Sequence, residues 1–288
     1  MSLRINFNAS SLSAQRALSR TQDDYARSSM RVATGKRINS AADDPAGLAV
    51  STKLKAQLTG LNQAQKNVQD GINAISIAEG ALGQMHALLS RMRELAVQSA
   101  TSTVTDADRL QSDAEFTALR AEIDRLGTST SYASIKLLDG SASAFQLQVG
   151  ANGDDTMTVE FPDARVSGID SPTTPTASPT VNPASGLAGA TLTDLSSANG
   201  AIAFLDGAIG VISSYRASLG SMSNRLGMTS ENLSTAMENV AAANSRIEDA
   251  DIAAEMSELV RTQILQQAGI AILSQANQAP QAVLSLLQ

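Results

Sequence analysis

Apolar side chains recur at every seventh position over two long stretches of this 288-residue chain. In the first, Leu61, Val68, Ile75, Leu82, Leu89 and Ala96 form one set, and Ala64, Ala78, Met85 and Met92 fall three residues after members of it. In the second, the series is Leu205, Ile212, Leu219, Leu226, Leu233, Val240 and Ile247. This spacing returns a side chain to the same helix face every two turns, building a seam that another helix must cover. The first stretch predicts a helix of about 40 residues, roughly 60 Å long. Val68, Ile75, Leu82 and Leu89 are expected to pack against Leu219, Leu226 and Leu233. Gly71 interrupts the first seam and marks the close approach of a neighbour. Gly220, Gly227 and several Asn lower the intrinsic helicity of the second stretch. The seam nevertheless predicts one helix there, with a break near Gly227 as the alternative.

The apolar fraction of 43% comes almost entirely from Ala and aliphatic residues, with three Tyr, five Phe and no Trp. Such a core suits closely spaced helices better than a compact globule. With no Cys, there is no disulfide framework and no Cys-based metal site or nucleophile. A Ser-His mechanism or a His-rich metal site would rest on His86 alone. His86 flanks the first seam and reads as a partly packed residue rather than a ligand. No enzymatic activity and no cofactor are expected. The net charge of −7 argues against nucleic acid as a partner. No uninterrupted run of about 18 apolar residues is present, so no membrane-spanning helix is expected, and residues 1–40 lack the apolar core of a cleaved secretory signal.

Three further segments complete the layout. Phe116, Leu119, Ile123 and Leu126 mark a shorter helix, with Thr105 and Asp108 as a capping box at its start and Gly127 at its end. Phe145, Leu147 and Val149 alternate with polar residues, as do Met157, Val159 and Phe161, with turn chemistry between them, which predicts a β-hairpin. From Ser167 to Thr193 the chain is rich in Ser, Thr, Gly and Pro. Pro172, Pro175, Pro179 and Pro183 predict an extended, exposed connection, with glycosylation as a sharper alternative.

The ends read as helices of opposite charge. Leu18, Tyr25 and Val32 lie seven apart, and Ile264, Ile270 and Leu273 belong to a broad apolar stripe near the C-terminus. Residues 1–42 carry Arg4, Arg16, Arg20, Arg27, Arg31, Lys36 and Arg37 against Asp23 and Asp24, a balance of +5. Residues 249–288 carry Asp249, Asp251, Glu255 and Glu258 against Arg261, a balance of −3. Two such helices are suited to pair with each other or with copies of themselves. The expected fold is therefore mainly α: a coiled-coil-like bundle of long helices with paired terminal helices and a small β-hairpin region.

Several motifs in a fixed order resemble bacterial flagellin. They are Gly35 to Gly47 (GKRINSAADDPAG), Asn67 to Gly71 (NVQDG), Arg91 to Ser99 (RMRELAVQS), Gln148 to Asn152 (QVGAN), Ser245 to Asp251 (SRIEDAD), Gln263 to Gly269 (QILQQAG) and the ending from Gln275 to Leu287. The resemblance implies a subunit that polymerises into a hollow helical filament for swimming. It assigns residues 1–44 with 249–288 to an inner tube and 45–165 with 195–248 to an outer tube. A short loop, 166–194, replaces larger outer domains. Asp43, Asp44, Pro45, Asp249 and Asp251 would form the two connections between layers. Leu18, Tyr25, Val32, Ile264, Ile270 and Leu273 would make contacts between subunits. The implied partners are other copies of the chain, hook–filament junction and cap proteins, and an export chaperone, with no nucleic acid and no membrane. The implied location is the extracellular filament, reached by unfolded export without a cleaved signal. Arg91, Leu95 and Glu115 match positions read by the innate immune Toll-like receptor for flagellin. The alternative within the same apparatus is a hook–filament junction adaptor. An inserted metalloprotease needs two His on one helix turn, and this chain has one His.

Overall fold

The computed structural model describes residues 8–141, 144–170 and 186–285, with the side chains of 170 and 279–285 left out of the description. The elements in chain order are α1 (Ala9–Thr34), α2 (Pro45–Ser99), α3 (Asp106–Ser129), β1 (Ser131–Tyr132), β2 (Ile135–Lys136), β3 (Phe145–Gln148), β4 (Thr156–Val159), α4 (Val166–Asp170), a 3-10 turn (Leu187–Gly189), α5 (Leu195–Glu248) and α6 (Ile252–Ser285). They fall into two compact units: Met1–Leu58 with Glu238–Gln288, and Thr59–Met237. This division lies inside α2 and α5, not at Asp44 and Asp249.

The second unit carries the main core. Every member of the first seam, from Leu61 to Ala96, is buried, as are Leu205, Ile212, Leu219, Leu226 and Leu233. The two long helices run antiparallel, joined by Gln65 Nε2 to Ser230 Oγ at 2.7 Å and Arg93 Nε to Asp206 Oδ1 at 2.6 Å. Helix α5 is continuous through Gly227, so burial of its stripe outweighs its Gly and Asn content. One 18-residue window of α5 has a mean hydropathy of 1.4, long and apolar enough by composition to cross a membrane. The run-length argument missed it because single polar residues interrupt the window. In this fold 28% of that window is buried, and the seam residues Leu205, Ile212, Leu219, Leu226 and Leu233 of the same helix are the ones turned to protein.

Gly71 is the place of closest approach. A Cβ there would collide with Leu147 Cδ1 of β3 and lie 3.3 Å from Leu226 Cδ1 of α5. The hairpin pairs antiparallel, with Phe145 opposite Val159 and Leu147 opposite Met157, and Leu147, Val159 and Phe161 are buried. A second, smaller pair, β1 with β2, is absent from the sequence reading. Its turn residues Ala133 and Ser134 have φ of 46° and 70°, a geometry normally announced by Asn-Gly. Thr105 and Asp108 form the expected capping box of α3. The helix ends at Ser129, however, and Gly127 lies within it, leaving room for Arg165, whose Cγ would be 3.0 Å from an added Cβ.

The exposed-loop expectation for 166–194 is corrected at both flanks. Val166, Ile169, Leu187, Ala190 and Leu192 are buried. Asp124 Oδ1 accepts a hydrogen bond from the Val166 amide at 2.8 Å, and Asp113 Oδ1 one from the Leu192 amide at 2.7 Å. Arg120 donates to the carbonyls of Ala188 at 2.8 Å and Ala190 at 3.1 Å. These polar residues of α3 hold apolar flanks that sequence composition alone places in a loop. Pro172, Pro175, Pro179 and Pro183 lie outside the described residues.

Candidate assembly surface

In the first unit, α1 and α6 pair antiparallel. Asn8 Nδ2 donates to the Ala276 carbonyl at 2.8 Å near one end, and Arg31 bridges Glu255 at 3.0 Å near the other. The residues of α1 turned from solvent include Ser11, Ala14, Leu18, Thr21, Tyr25, Ser28 and Val32, with Ser29 and Arg31 beside them. On α6 they include Glu255, Leu259, Thr262, Gln266, Gly269, Leu273 and Ala276, with Glu258 beside them. Both series alternate steps of three and four, the spacing of an antiparallel seam. Gly269 admits Leu18, whose Cδ1 would lie 3.1 Å from an added Cβ. The seam is thin, since most of its members are small or polar.

This geometry divides the six residues expected between subunits. Leu18, Tyr25, Val32 and Leu273 are half-buried in the seam within one chain. Their seven-residue spacing reports the α1–α6 pair, which a seam inside a subunit and a seam between subunits produce alike. Ile264 and Ile270 are 60% and 54% exposed. They lie with Ile252, Met256, Val260, Leu265 and Ile272 on the sides of α6 that α1 leaves uncovered. No Asp, Glu, Lys or Arg follows Arg261 in the chain. Exposed Gln263, Gln267 and Gln275 share these sides, and large apolar residues exposed at this density mark a site of association. Among the described residues, opposite charge contributes one ion pair between the two helices, Arg31 with Glu255. Asp24 pairs with Arg27 on α1, and Glu258 with Arg261 on α6.

The turns leading into α2 and α6 are built by the expected aspartates. Asp43 Oδ2 accepts from the Ser40 amide at 2.9 Å, and these bonds hold its carboxyl below the usual range. Asp44 Oδ1 accepts from the Gly47 amide at 2.9 Å, capping α2 directly before Pro45. Asp251 Oδ1 accepts from the Ala253 amide at 2.9 Å and caps α6. Asp249 pairs with Lys36 in an isolated antiparallel bridge, flanked by Arg37 N to Glu248 O at 2.6 Å and Ala250 N to Gly35 O at 3.0 Å. Gly35, at φ 71°, ends α1 in the left-handed conformation that glycine adopts without steric cost.

Sequence reasoning missed the group that ties these turns together. The buried Glu248 carboxylate receives Lys36 Nζ at 2.8 Å, Lys55 Nζ at 2.6 Å and Ser51 Oγ at 2.7 Å. Hydrogen bonds from Lys36, Lys55 and Ser51 pull its pKa down to about 2, and Glu248 in turn raises that of Lys36. Ser51 and Lys55 carry no local signal, because their partner is nearly two hundred positions away in the chain.

Of the three receptor-site residues, Arg91 and Glu115 are exposed and paired at 3.0 Å, with Glu94 on the same guanidinium at 3.0 Å. Leu95 is 3% exposed. It faces the core from its helix position and presents no surface to a partner, which corrects its placement in the site. His86 is half-buried, with Nδ1 lacking a hydrogen-bond partner. Among the described residues no cluster of three His, Cys, Asp or Glu side chains is placed to hold a metal.

Fold and surface together define a protein of long helices whose last helix exposes large apolar residues. Residues 5–143 match the bacterial flagellin N-terminal helical region, and residues 202–287 match the bacterial flagellin C-terminal helical region. The chain is 42% identical over 284 residues to a flagellin of Halalkalibacterium halodurans, covering 99% of each. It is 38% identical to a flagellin of Listeria monocytogenes, again covering 99% of each. A solved Vibrio parahaemolyticus structure, provisionally described as a flagellar hook-associated protein, shares the fold at a TM-score of 0.57. That match has 15% identity and covers 72% of this chain and 100% of that one. The chain belongs to the bacterial flagellin family and is a structural, self-polymerising component of the flagellar filament.

Proposed function

We propose that the chain polymerises by burying the outer sides of α6, with Ile264 and Ile270 near their middle, against neighbouring copies outside the cell. One observation carries this reading: α6 exposes seven large apolar residues on the sides that α1 does not cover. Terminal helices joined by so thin a seam gain most of their apolar burial only when neighbours arrive, so their ordering is coupled to assembly. The contacts are heterologous and do not close, which yields an open helical filament. Weakly held ends also suit a chain exported unfolded, with a chaperone before export and junction and cap proteins at the filament's two ends.

Seeded polymerisation followed by light scattering and electron microscopy tests this. Ile264→Asp is expected to abolish seed extension while leaving circular dichroism of the soluble subunit unchanged. Normal extension by that variant would overturn the assignment of the face. If the unmodified chain caps seeds without extending them, the junction-adaptor reading replaces bulk polymerisation.

The exposed Arg91–Glu94–Glu115 group favours a second function, recognition of the subunit by the innate immune Toll-like receptor for flagellin. The test is a receptor reporter assay on monomer. Arg91→Ala is expected to lower the response at least tenfold with polymerisation intact. An unchanged response would reject this function.

A further inference from the structure

With no cysteine, the sulfur chemistry of this chain resides in its nine methionines. Met85 and Met92 are sealed in the core of the second unit. Helices α1 and α6 each contain one methionine, and both are exposed: Met30 by 57% and Met256 by 43%. Met256 stands third from the end of an exposed row, Ile252, Met256, Val260 and Ile264, that advances four residues at a time along α6. Its thioether is thus the one oxidisable group in an otherwise aliphatic row on the face assigned above to assembly.

We infer that Met256 is an oxidative modification site that bars the unassembled subunit from the filament. The oxidant is a two-electron oxygen donor such as hydrogen peroxide. The sulfur lone pair attacks one peroxide oxygen, the O–O bond breaks, an S–O bond forms and water leaves. Sulfur is oxidised by two electrons and peroxide is reduced by two. The product, methionine sulfoxide, is polar and is restored by reductases specific for its two epimers. Its oxygen accepts hydrogen bonds, and the neighbours one helical turn away, Ile252 and Val260, offer no side-chain donor. Burial of this face in a polymer strands that acceptor without a partner. In a filament the same burial shields the sulfur, so order decides the outcome: oxidation before assembly blocks entry, and assembly first protects the residue. The inference rests on the proposed role of the α6 face.

The test uses full-length purified subunit treated with hydrogen peroxide until peptide mass spectrometry shows complete sulfoxide at Met256. Met228, 64% exposed on α5, reports that the oxidant has acted. The critical concentration for seeded polymerisation is expected to rise between about fivefold and a hundredfold. Treatment with both sulfoxide reductases should restore it. The Met30→Leu/Met256→Leu variant should polymerise equally with and without peroxide, and Met256→Gln should reproduce the oxidised behaviour without it. Unchanged polymerisation of fully oxidised subunit, or equal inhibition of the double variant, would overturn the inference. Repair by the reductases keeps the test decisive if the double variant assembles poorly. Failure of the assembly reading itself shows separately, as untreated subunit that does not extend seeds or as normal extension by Ile264→Asp.

Discussion

Gly71 and Gly80 lie nine residues apart on α2 and are expected to respond oppositely to the same substitution. A methyl at Gly71 collides with Leu147 and crowds Leu226, so the hairpin and α5 both lose their seats. Gly71→Ala should destabilise the subunit by about 1–3 kcal/mol, the usual cost of overpacking a filled core. A methyl at Gly80 meets nothing within 4 Å. Gly80→Ala should stabilise by up to about 1 kcal/mol, because glycine in a helix interior loses more backbone freedom on folding than alanine. Urea unfolding of both variants by circular dichroism measures the contrast. Destabilisation by both would mean that helix α2 is limited elsewhere than at its packing. At this scale the difference between seam and surface depends on what stands opposite a residue, and residue type alone does not reveal it.

At the scale of elements, the turn after α1, the first turns of α2 and the end of α5 are held by one carboxylate. Lys36 comes from the turn after α1, Ser51 and Lys55 from α2, and Glu248 from the last turn of α5. The Glu248 pKa is lowered to about 2 from an ordinary value of 4.5. A carboxyl with a depressed folded-state pKa contributes stability that is fully present above about pH 4.5 and is lost as pH falls toward 2. Thermal unfolding from pH 7 to pH 2 should therefore show a melting temperature that drops through this window. Glu248→Gln should melt lower at pH 7 and change less between pH 4.5 and pH 2. An unaltered acid profile in this variant would place the pH dependence on other groups, with Asp43, also depressed, the next to test.

At the scale of the whole molecule, each copy carries a net charge of −7, and its exposed α6 face is uncharged beyond Arg261. Bringing copies together opposes like charges while removing apolar surface from water. Salt shortens the reach of the repulsion, from about 30 Å at 0.01 M to about 3 Å at 1 M, and leaves the apolar contribution in place or strengthens it. The critical concentration for polymerisation, measured by pelleting, should fall as salt rises. A rise would show that ion pairs between copies dominate the contact. That result would move attention from Ile264 and Ile270 to the charged residues of α1.

The sequence by itself determined the two seams, the continuity of α5 through Gly227, the hairpin, the close approach at Gly71 and the capping box of α3. Each of these is a periodic or local signal, and the pattern repeats over enough turns to outweigh weak propensities. Its family motifs also placed the chain among the flagellins. Only the tertiary structure decided which apolar residues of the terminal helices pair within the chain and which remain outside. Leu18, Tyr25, Val32 and Leu273 have the same spacing in either role, and a period specifies a face without specifying its partner. For the same reason Leu95 reads as part of an exposed motif until the fold turns it inward. The Glu248 cluster and the buried flanks at Ile169 and Leu187 join residues far apart in sequence. Their energy comes from contacts that exist only after the long helices have brought the two halves of the chain together.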